Sequence, residues 1–204
     1  LDEEELWQAI AINKLGSEFN VTVVDFPISL DKIWQFIIDN DIDAIIVDFR
    51  LYGSGQVSYT GADVVSEIMK HNKYFPIFIM TAFEKDAIDK SENVLIINGK
   101  GVLSEDKGKD ALDNFILVLK HVIKSYKDRM ENAKATILEL HRKSLSRQTL
   151  SPEEDEALFH AELFLNETDK DNALPSNLNS IGYSCQLKEI IRKTDNLISE
   201  LQNR

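Results

Sequence analysis

The sequence has a single cysteine among its 204 residues, and it has no long apolar run. Because Cys185 stands alone, an intrachain disulfide framework and a cysteine-rich zinc site are both excluded. No apolar stretch approaches the about 20 residues that a membrane-spanning helix needs. The acidic start also lacks the basic and then apolar build of a signal peptide. We therefore expect a soluble, cytoplasmic protein.

Positive charge is also scarce, because 23 lysine and arginine residues stand against 35 aspartate and glutamate residues. The resulting net charge of −12 argues against nonspecific binding to nucleic acid or to anionic membranes. The apolar fraction of 43% and the charged fraction of 28% are near globular averages, which excludes wholesale disorder and a fibrous chain. This length suits one ordinary domain with an appendage, or two small domains.

Up to about residue 110, short apolar runs alternate with segments of helical spacing. The runs are rich in β-branched residues, as is typical of strands buried on both faces of a parallel sheet. They are Val21–Val24, Ala44–Val47, Pro76–Met80 and Val94–Ile97. Apolar positions recur at helical spacing at Ile33, Phe36 and Ile37, and again at Val64, Val65, Ile68 and Met69. This alternation predicts a doubly wound α/β sheet built from right-handed βαβ units.

After Asp110 the strand pattern ends and three helices are predicted. An apolar stripe begins at Leu112, and no glycine or proline interrupts the chain between Ala111 and Gln148. A second helix is indicated by the segment 151–154, in which a serine cap, a proline at the first helical position and a glutamate form a capping box. Residues 166–182 are expected to form a loop, and a last helix is expected from about Cys185 to Gln202. The three helices would fold back on one another or pair with a second copy of the chain.

Several polar side chains stand where the predicted strands end. Asp48 follows one run, Thr81 and the small Ala82 follow another, and Lys100 stands three residues after a third. Asp2 and Glu3 stand at the start of the chain, where a helix begins. Because ligands of parallel α/β sheets bind beyond the carboxyl ends of the strands, we expect these side chains to share one edge.

This combination suits a phosphoryl-transfer site. Clustered carboxylates bind a hard divalent cation such as Mg²⁺, and Asp48 could attack a phosphoryl group to form an acyl phosphate. The cation and the Lys100 ammonium would offset charge on the transferring oxygens. The Thr81 hydroxyl could donate a hydrogen bond to a phosphoryl oxygen, and Ala82 leaves room for the group.

The segment from residue 1 to about residue 127 resembles the receiver domain of two-component response regulators. The matching stretches are Asp43–Leu51, Gly61–Asp63 and Phe75–Ala82. The resemblance implies a flavodoxin-like sheet of strand order 2-1-3-4-5. It also implies that Asp48 is the phospho-acceptor, Thr81 the switch hydroxyl, Lys100 the family's lysine, and Asp2 and Glu3, with Asp48, the ligands of Mg²⁺. The expected partner is a histidine kinase or a phosphotransfer protein.

The sequence also departs from the family in four respects. The family's first strand should precede the acidic pair, and because only Leu1 is left of it, we expect that strand to be missing or truncated. The loop after Asp48 contains an extra stretch, Tyr52–Thr60, which would border the site. Ile97 takes the place of the switch aromatic residue. The usual Lys-Pro pair is absent, and Lys107 and Lys109 are close alternatives to Lys100.

Other interpretations stay open for single residues and for the chain. An aspartate at a strand end, such as Asp48, is often only a helix or turn cap. His141 could be imagined as a phosphotransfer histidine, although a solvated helix histidine is the expectation. The chain could be a pseudo-receiver adaptor that binds its partner without phosphorylation, or a small phosphotransfer enzyme that uses Asp48 covalently.

The helical extension, residues 128–204, carries 10 basic and 14 acidic side chains, a net charge of −4. It shows no helix-turn-helix with a basic recognition helix, and an acidic surface repels phosphates. We therefore expect output through protein contacts made by these helices, with a homodimer as one arrangement, and neither DNA binding nor an enzymatic output domain.

Overall fold

Three parallel strands form the centre of the fold in the computed structural model, which describes residues 1–82, 97–103, 109–146 and 148–168. The strands are β1 (Ile45–Asp48), β2 (Ile77–Thr81) and β3 (Ile97–Gly99), and within the described residues they lie in the order β1-β2-β3. Asp48 pairs with Met80 across β1 and β2, and Thr81 pairs with Gly99 across β2 and β3. The carboxyl ends of all three strands therefore meet at one edge, as parallel pairing requires.

Five helices are described around this sheet and after it. They are α1 (Glu5–Leu15), α2 (Ile33–Asp39), α3 (Gly61–His71), α4 (Lys109–Leu145) and α5 (Pro152–Thr168). Short 3₁₀ helices lie at Leu30–Lys32, Leu51–Ser54 and Lys100–Val102. The expected alternation of strands and helices is thus present, and the protein is an α/β fold.

Two clusters of buried side chains cover the two faces of the sheet. One contains Val47 and Ile79 together with Ile37 of α2 and Val64 of α3. The other contains Phe78 and Met80 together with Leu15 of α1 and with Phe115 and Leu119 of α4. Because neighbouring side chains of a strand point to opposite faces, the near-continuous apolar runs are buried on both sides.

The predicted strand Val21–Val24 is wrong, since the structure gives this segment no strand pairing. Its apolar side chains are nevertheless used for packing: Val24 is buried, and Val21 packs against the second cluster. An apolar run shows that a segment is buried, but a strand also needs a neighbouring backbone. The predicted strand Val94–Ile97 is described only at its last residue: β3 is Ile97–Gly99, and residues 94–96 lie outside the described part of the chain.

The helical predictions after residue 108 are largely confirmed within the described residues. Helix α4 has 37 residues, and α5 begins at Pro152 as the capping signature indicated. The Glu154 N–H donates to Ser151 Oγ at 3.3 Å, and the Ser151 N–H donates to Glu154 Oε2 at 2.8 Å. The loop prediction from residue 166 is wrong at its start, because α5 continues to Thr168. The predicted helix from Cys185 lies outside the described residues.

The chain divides into two compact units, Leu1–Asp128 and Arg129–Arg204. The sequence placed this boundary between residues 127 and 128. Among the residues that the structure describes, no helix combines the length with the apolar composition that crossing a membrane requires.

Candidate functional site

The nucleophile candidate, Asp48, is the last residue of β1. Its neighbour Val47 is fully buried in the first core cluster, which anchors the strand end. Asp48 itself is only 6% exposed, and its carboxylate accepts a hydrogen bond from the Phe49 N–H. The strand therefore holds a carboxylate at the sheet edge with little contact with bulk water.

Backbone pairing brings the acidic pair to the same edge. The Leu1 nitrogen donates to the Ile46 carbonyl oxygen at 2.7 Å, and the Asp48 N–H donates to the Leu1 carbonyl oxygen at 2.9 Å. This is the pattern of a parallel ladder, so the next two residues, Asp2 and Glu3, continue just beyond the end of β1. The Glu4 N–H donates to Asp2 Oδ1 at 3.0 Å and fixes that carboxylate above the start of α1.

Lys100 supplies a cation between these acids. It follows β3 directly, as the first residue of a 3₁₀ helix, and is 5% exposed. Its Nζ lies 2.7 Å from Asp2 Oδ2 and 3.3 Å from Asp48 Oδ2. Of the alternatives, Lys109 is exposed at the start of α4, and Lys107 lies outside the described residues. The structure thus brings Lys100, Asp2 and Asp48 together.

Three carboxylates at this edge could hold a metal ion. One ligand oxygen from each of Asp2, Glu3 and Asp48 lies within 4.8 Å of the others. Glu3 Oε2 is buried and has no hydrogen-bond partner, so an oxygen atom is available for a ligand. Oxygen donors of this kind fit a hard divalent cation. The identification of that cation as Mg²⁺ stays a prediction.

The charges and the burial of the site perturb two of these carboxyl groups. Burial raises the pKa of Asp48, and the neighbouring Asp2 carboxylate raises it further, whereas the Lys100 ammonium opposes the shift. Burial also raises the pKa of Glu3, helped by the charges of Asp48 and Asp2. The ionised carboxylates of Asp48 and Glu3 therefore destabilise the folded protein, and a bound cation would offset this destabilisation.

A cleft of 390 Å³ opens beside Asp48. Its lining contains acidic, basic and small side chains: Glu3, Glu4, Trp7, Asp48, Arg50, Gly53, Ala82 and Lys100. Ala82 thus stands at the cleft, next to the candidate nucleophile. Thr81 does not: it is fully buried at the end of β2 and is not among the lining residues. The role of Thr81 as a phosphoryl-binding hydroxyl stays a prediction.

Sequence reasoning missed two residues of the cleft, and a third belongs to the stretch that was expected to border the site. Trp7 lies with its ring 5.1 Å from the Lys100 Nζ, Arg50 stands two residues after Asp48, and Gly53 belongs to the extra loop stretch. A β-carbon at Gly53 would lie 3.1 Å from Glu3 Oε1, so this loop closes against the acidic pair. For Trp7, the only signal in the sequence was its position within the first two turns after the acidic pair.

The extra loop leads into α3 and is anchored at that end. The Tyr59 hydroxyl donates to the Ile28 carbonyl oxygen, and Thr60 and Asp63 form a capping box at the start of α3. The Gly61 N–H then donates to the Phe49 carbonyl oxygen at 2.9 Å. A β-carbon at Gly61 would collide with the backbone of Asp48 and would lie 3.0 Å from the Phe49 Cα. Glycine is therefore required where α3 passes the site.

His141 and Ile97 have surroundings of their own. His141 lies on α4 with its side chain 55% exposed, and its Nε2 is 3.2 Å from Glu162 Oε1, as expected for a solvated helix histidine. Ile97, the residue in place of the switch aromatic, is half-buried at the start of β3 and packs against the first cluster.

Compared with known proteins, the chain matches no protein-family model, no curated protein and no solved structure. The functional argument therefore depends on the geometry of the sheet edge.

Proposed function

We propose that this chain is a response-regulator-like signalling protein that accepts a phosphoryl group on Asp48. The observation that carries the proposal is the convergence of Asp2, Glu3, Asp48 and Lys100 at the carboxyl edge of a parallel sheet. These groups come from three separate parts of the sequence, and each has a role in the chemistry. The flavodoxin-like order of five strands belongs to the same proposal.

The proposed reaction is an in-line transfer to a carboxylate. An Asp48 oxygen attacks phosphorus, the bond from phosphorus to the donor atom breaks, and the donor leaves with the electron pair of that bond. If the donor is a phosphohistidine of a partner kinase, the leaving group is an imidazole, which takes up a proton. The product is an acyl phosphate on Asp48.

The side chains around Asp48 would divide the electrostatic work. The Lys100 ammonium, 3.3 Å from Asp48 Oδ2, favours the ionised form that attacks and neutralises charge on the phosphoryl oxygens. Asp2, Glu3 and Asp48 would hold Mg²⁺, which supplies further positive charge beside the same oxygens. Ala82 lines the cleft with a methyl group and leaves space for the incoming phosphoryl group.

Intact-mass measurement tests the transfer. The full chain is incubated with acetyl phosphate and Mg²⁺, and we expect the mass of one phosphoryl group to be added. Asp48→Asn should abolish the gain. Asp43→Asn is the matched control, because Asp43 lies just before β1 but is exposed and paired with Lys127. No gain in the parent chain, or an equal gain in Asp48→Asn, would contradict the proposal.

Output would proceed through protein contacts of the helical extension. In the second unit, α4 and α5 present exposed apolar side chains, among them Leu138 at 72% and Leu163 at 41% exposure. Such side chains suit a protein partner or a second copy of the chain. Light scattering with and without beryllofluoride, a phosphoryl mimic, tests this: we expect a change in mass or in partner binding, and no change in either contradicts it.

One observation favours the second candidate, a pseudo-receiver adaptor that works without phosphorylation. The hydroxyl of Thr81, which the resemblance assigns to phosphoryl binding, belongs to a fully buried residue outside the lining of the cleft. An adaptor would bind its partner equally well as the parent chain and as Asp48→Asn, with or without acetyl phosphate. The same pair of proteins therefore separates the two candidates.

A further inference from the structure

Trp7 is an aromatic side chain that lies beside the cation of the site. The Lys100 Nζ is 5.1 Å from the centroid of the Trp7 ring, within the about 6 Å at which a cation is attracted to an aromatic face. Trp7 is half-buried and lines the cleft, and it packs against the second core cluster, which restricts the position of its ring. Nothing in the resemblance to receiver domains assigns this tryptophan.

The same ammonium occupies an oxygen that a metal ion would need. Asp2 Oδ1 already accepts the Glu4 N–H at 3.0 Å, so Asp2 Oδ2 is the oxygen left for a ligand. Lys100 Nζ lies 2.7 Å from that oxygen and 3.3 Å from Asp48 Oδ2. Glu3 Oε2, in contrast, has no hydrogen-bond partner. A divalent cation that takes one oxygen from each carboxylate would therefore compete with the ammonium for Asp2 and Asp48.

We propose that Trp7 is a positioning residue that holds the Lys100 ammonium against Asp2, and that it thereby sets how tightly the acidic triad binds a divalent cation. The inference rests on the proposed metal site of Asp2, Glu3 and Asp48. The ring and the two carboxylates all lie within contact distance of the same ammonium. Each contact that stabilises the ammonium there lowers the affinity for the competing cation by the same factor.

Binding of Mn²⁺ to the full chain, followed by electron paramagnetic resonance of the free ion, tests this directly. We expect Trp7→Leu to bind Mn²⁺ about threefold more tightly, since the ring no longer favours the ammonium at Asp2. Trp7→Phe keeps an aromatic face and should stay closer to the parent chain. Lys100→Met should bind more tightly still, by about tenfold or more.

The decisive readout is the double variant Trp7→Leu/Lys100→Met. If the ring acts through the ammonium, Trp7→Leu changes the affinity in the parent background and leaves it unchanged when Lys100 is absent. An equal effect in both backgrounds would show that Trp7 shapes the site by packing alone and would overturn the inference. Weaker binding by Trp7→Leu, or no saturable Mn²⁺ binding by any of the proteins, would overturn it as well.

Tryptophan emission provides a second measurement that does not need the Lys100 variant to fold. The chain has two tryptophans, so Trp34→Phe leaves Trp7 as the sole reporter. Displacement of the ammonium should give a saturable change in Trp7 emission on addition of Mg²⁺, and a flat titration in a chain that binds Mn²⁺ contradicts the inference. These assays need no phosphoryl donor. Failure of Asp48 to accept a phosphoryl group would therefore leave this inference standing. An equal effect of Trp7→Leu in both backgrounds would overturn the inference and leave the proposed function standing.

Discussion

Replacement of Lys100 by methionine is the sharpest test of the electrostatic arrangement at the sheet edge. The ammonium forms ion pairs of 2.7 Å with Asp2 and 3.3 Å with Asp48, and the side chains of Lys100 and Asp48 are each only 6% exposed. Methionine keeps most of the volume of the side chain and removes its charge. The substitution therefore leaves two poorly hydrated carboxylates without their cation.

Removal of one partner from a buried ion pair costs about 3–5 kcal/mol. We expect Lys100→Met to lie at the lower end, with a loss of about 3 kcal/mol in the free energy of unfolding at neutral pH. The Asp2 side chain is 14% exposed and keeps the hydrogen bond from the Glu4 N–H, which limits the loss. Urea denaturation followed by circular dichroism, without divalent cations, measures the difference.

The pH dependence of this loss has a definite sign. Burial and Asp2 raise the pKa of Asp48, and Lys100 opposes them, so removal of the ammonium raises that pKa further. In mildly acidic solution the folded variant then binds a proton that the unfolded chain does not yet bind, and its stability increases as the pH falls. The deficit relative to the parent chain should therefore be largest at neutral pH and shrink in acid.

Lys124→Met is the matched control. Its ion pair with Asp128 has a similar length, 3.0 Å, but its side chain is 76% exposed. We expect a change of less than about 0.5 kcal/mol at either pH. The reasoning is refuted if Lys100→Met is as stable as this control at neutral pH, or if its deficit grows in acid.

Three further substitutions probe the same part of the molecule by urea denaturation. Asp48→Asn should raise the midpoint without divalent cations, because burial raises the pKa of the group and thus penalises its ionised form, and a lower midpoint would contradict this. Gly61→Ala should cost about 2 kcal/mol, because the new methyl group meets backbone atoms that cannot move aside, and a variant of parental stability would refute the close approach. Thr60→Ala should cost about 1 kcal/mol through loss of the α3 cap, whereas Ser66→Ala, on an exposed position of the same helix, should not; equal effects would argue against the capping box.

The sequence predicted the strands that are buried on both faces and the helices that have clear start signals. β1 and β2 were readable because their side chains are apolar at every position before the final Asp48 and Thr81, and α5 because a serine, a proline and a glutamate stand in order at its start. Val21–Val24 was misread as a strand, because its valines are buried or half-buried but pair with no strand among the described residues. Strand pairing depends on two segments, so the apolar pattern of one segment cannot predict it.

The sequence predicted which charged residues form the candidate site, but it predicted their relative positions only in part. Asp48 follows a strand directly, so its position could be inferred from the rule for parallel sheets. The ion pairs of Lys100 could not, because they depend on where β3 ends and on the length of a long side chain. Trp7 and Arg50 line the cleft at positions to which no sequence pattern gave a role. For such residues only the fold decides the role.

The close approach of Gly61 to the strand end gives the site a mechanical connection to the opposite end of α3. No side chain fits between the first turn of this helix and the peptide that follows Asp48, so the two segments cannot slide past one another. The helix has 11 residues and acts as a stiff rod about 16 Å long. Its last residue, His71, stacks on the ring of Trp34 in α2 with 5.4 Å between centroids. We therefore expect a displacement of the peptide after Asp48 to shift α3 and to change the fluorescence emission of Trp34, which can be measured in solution without an added label.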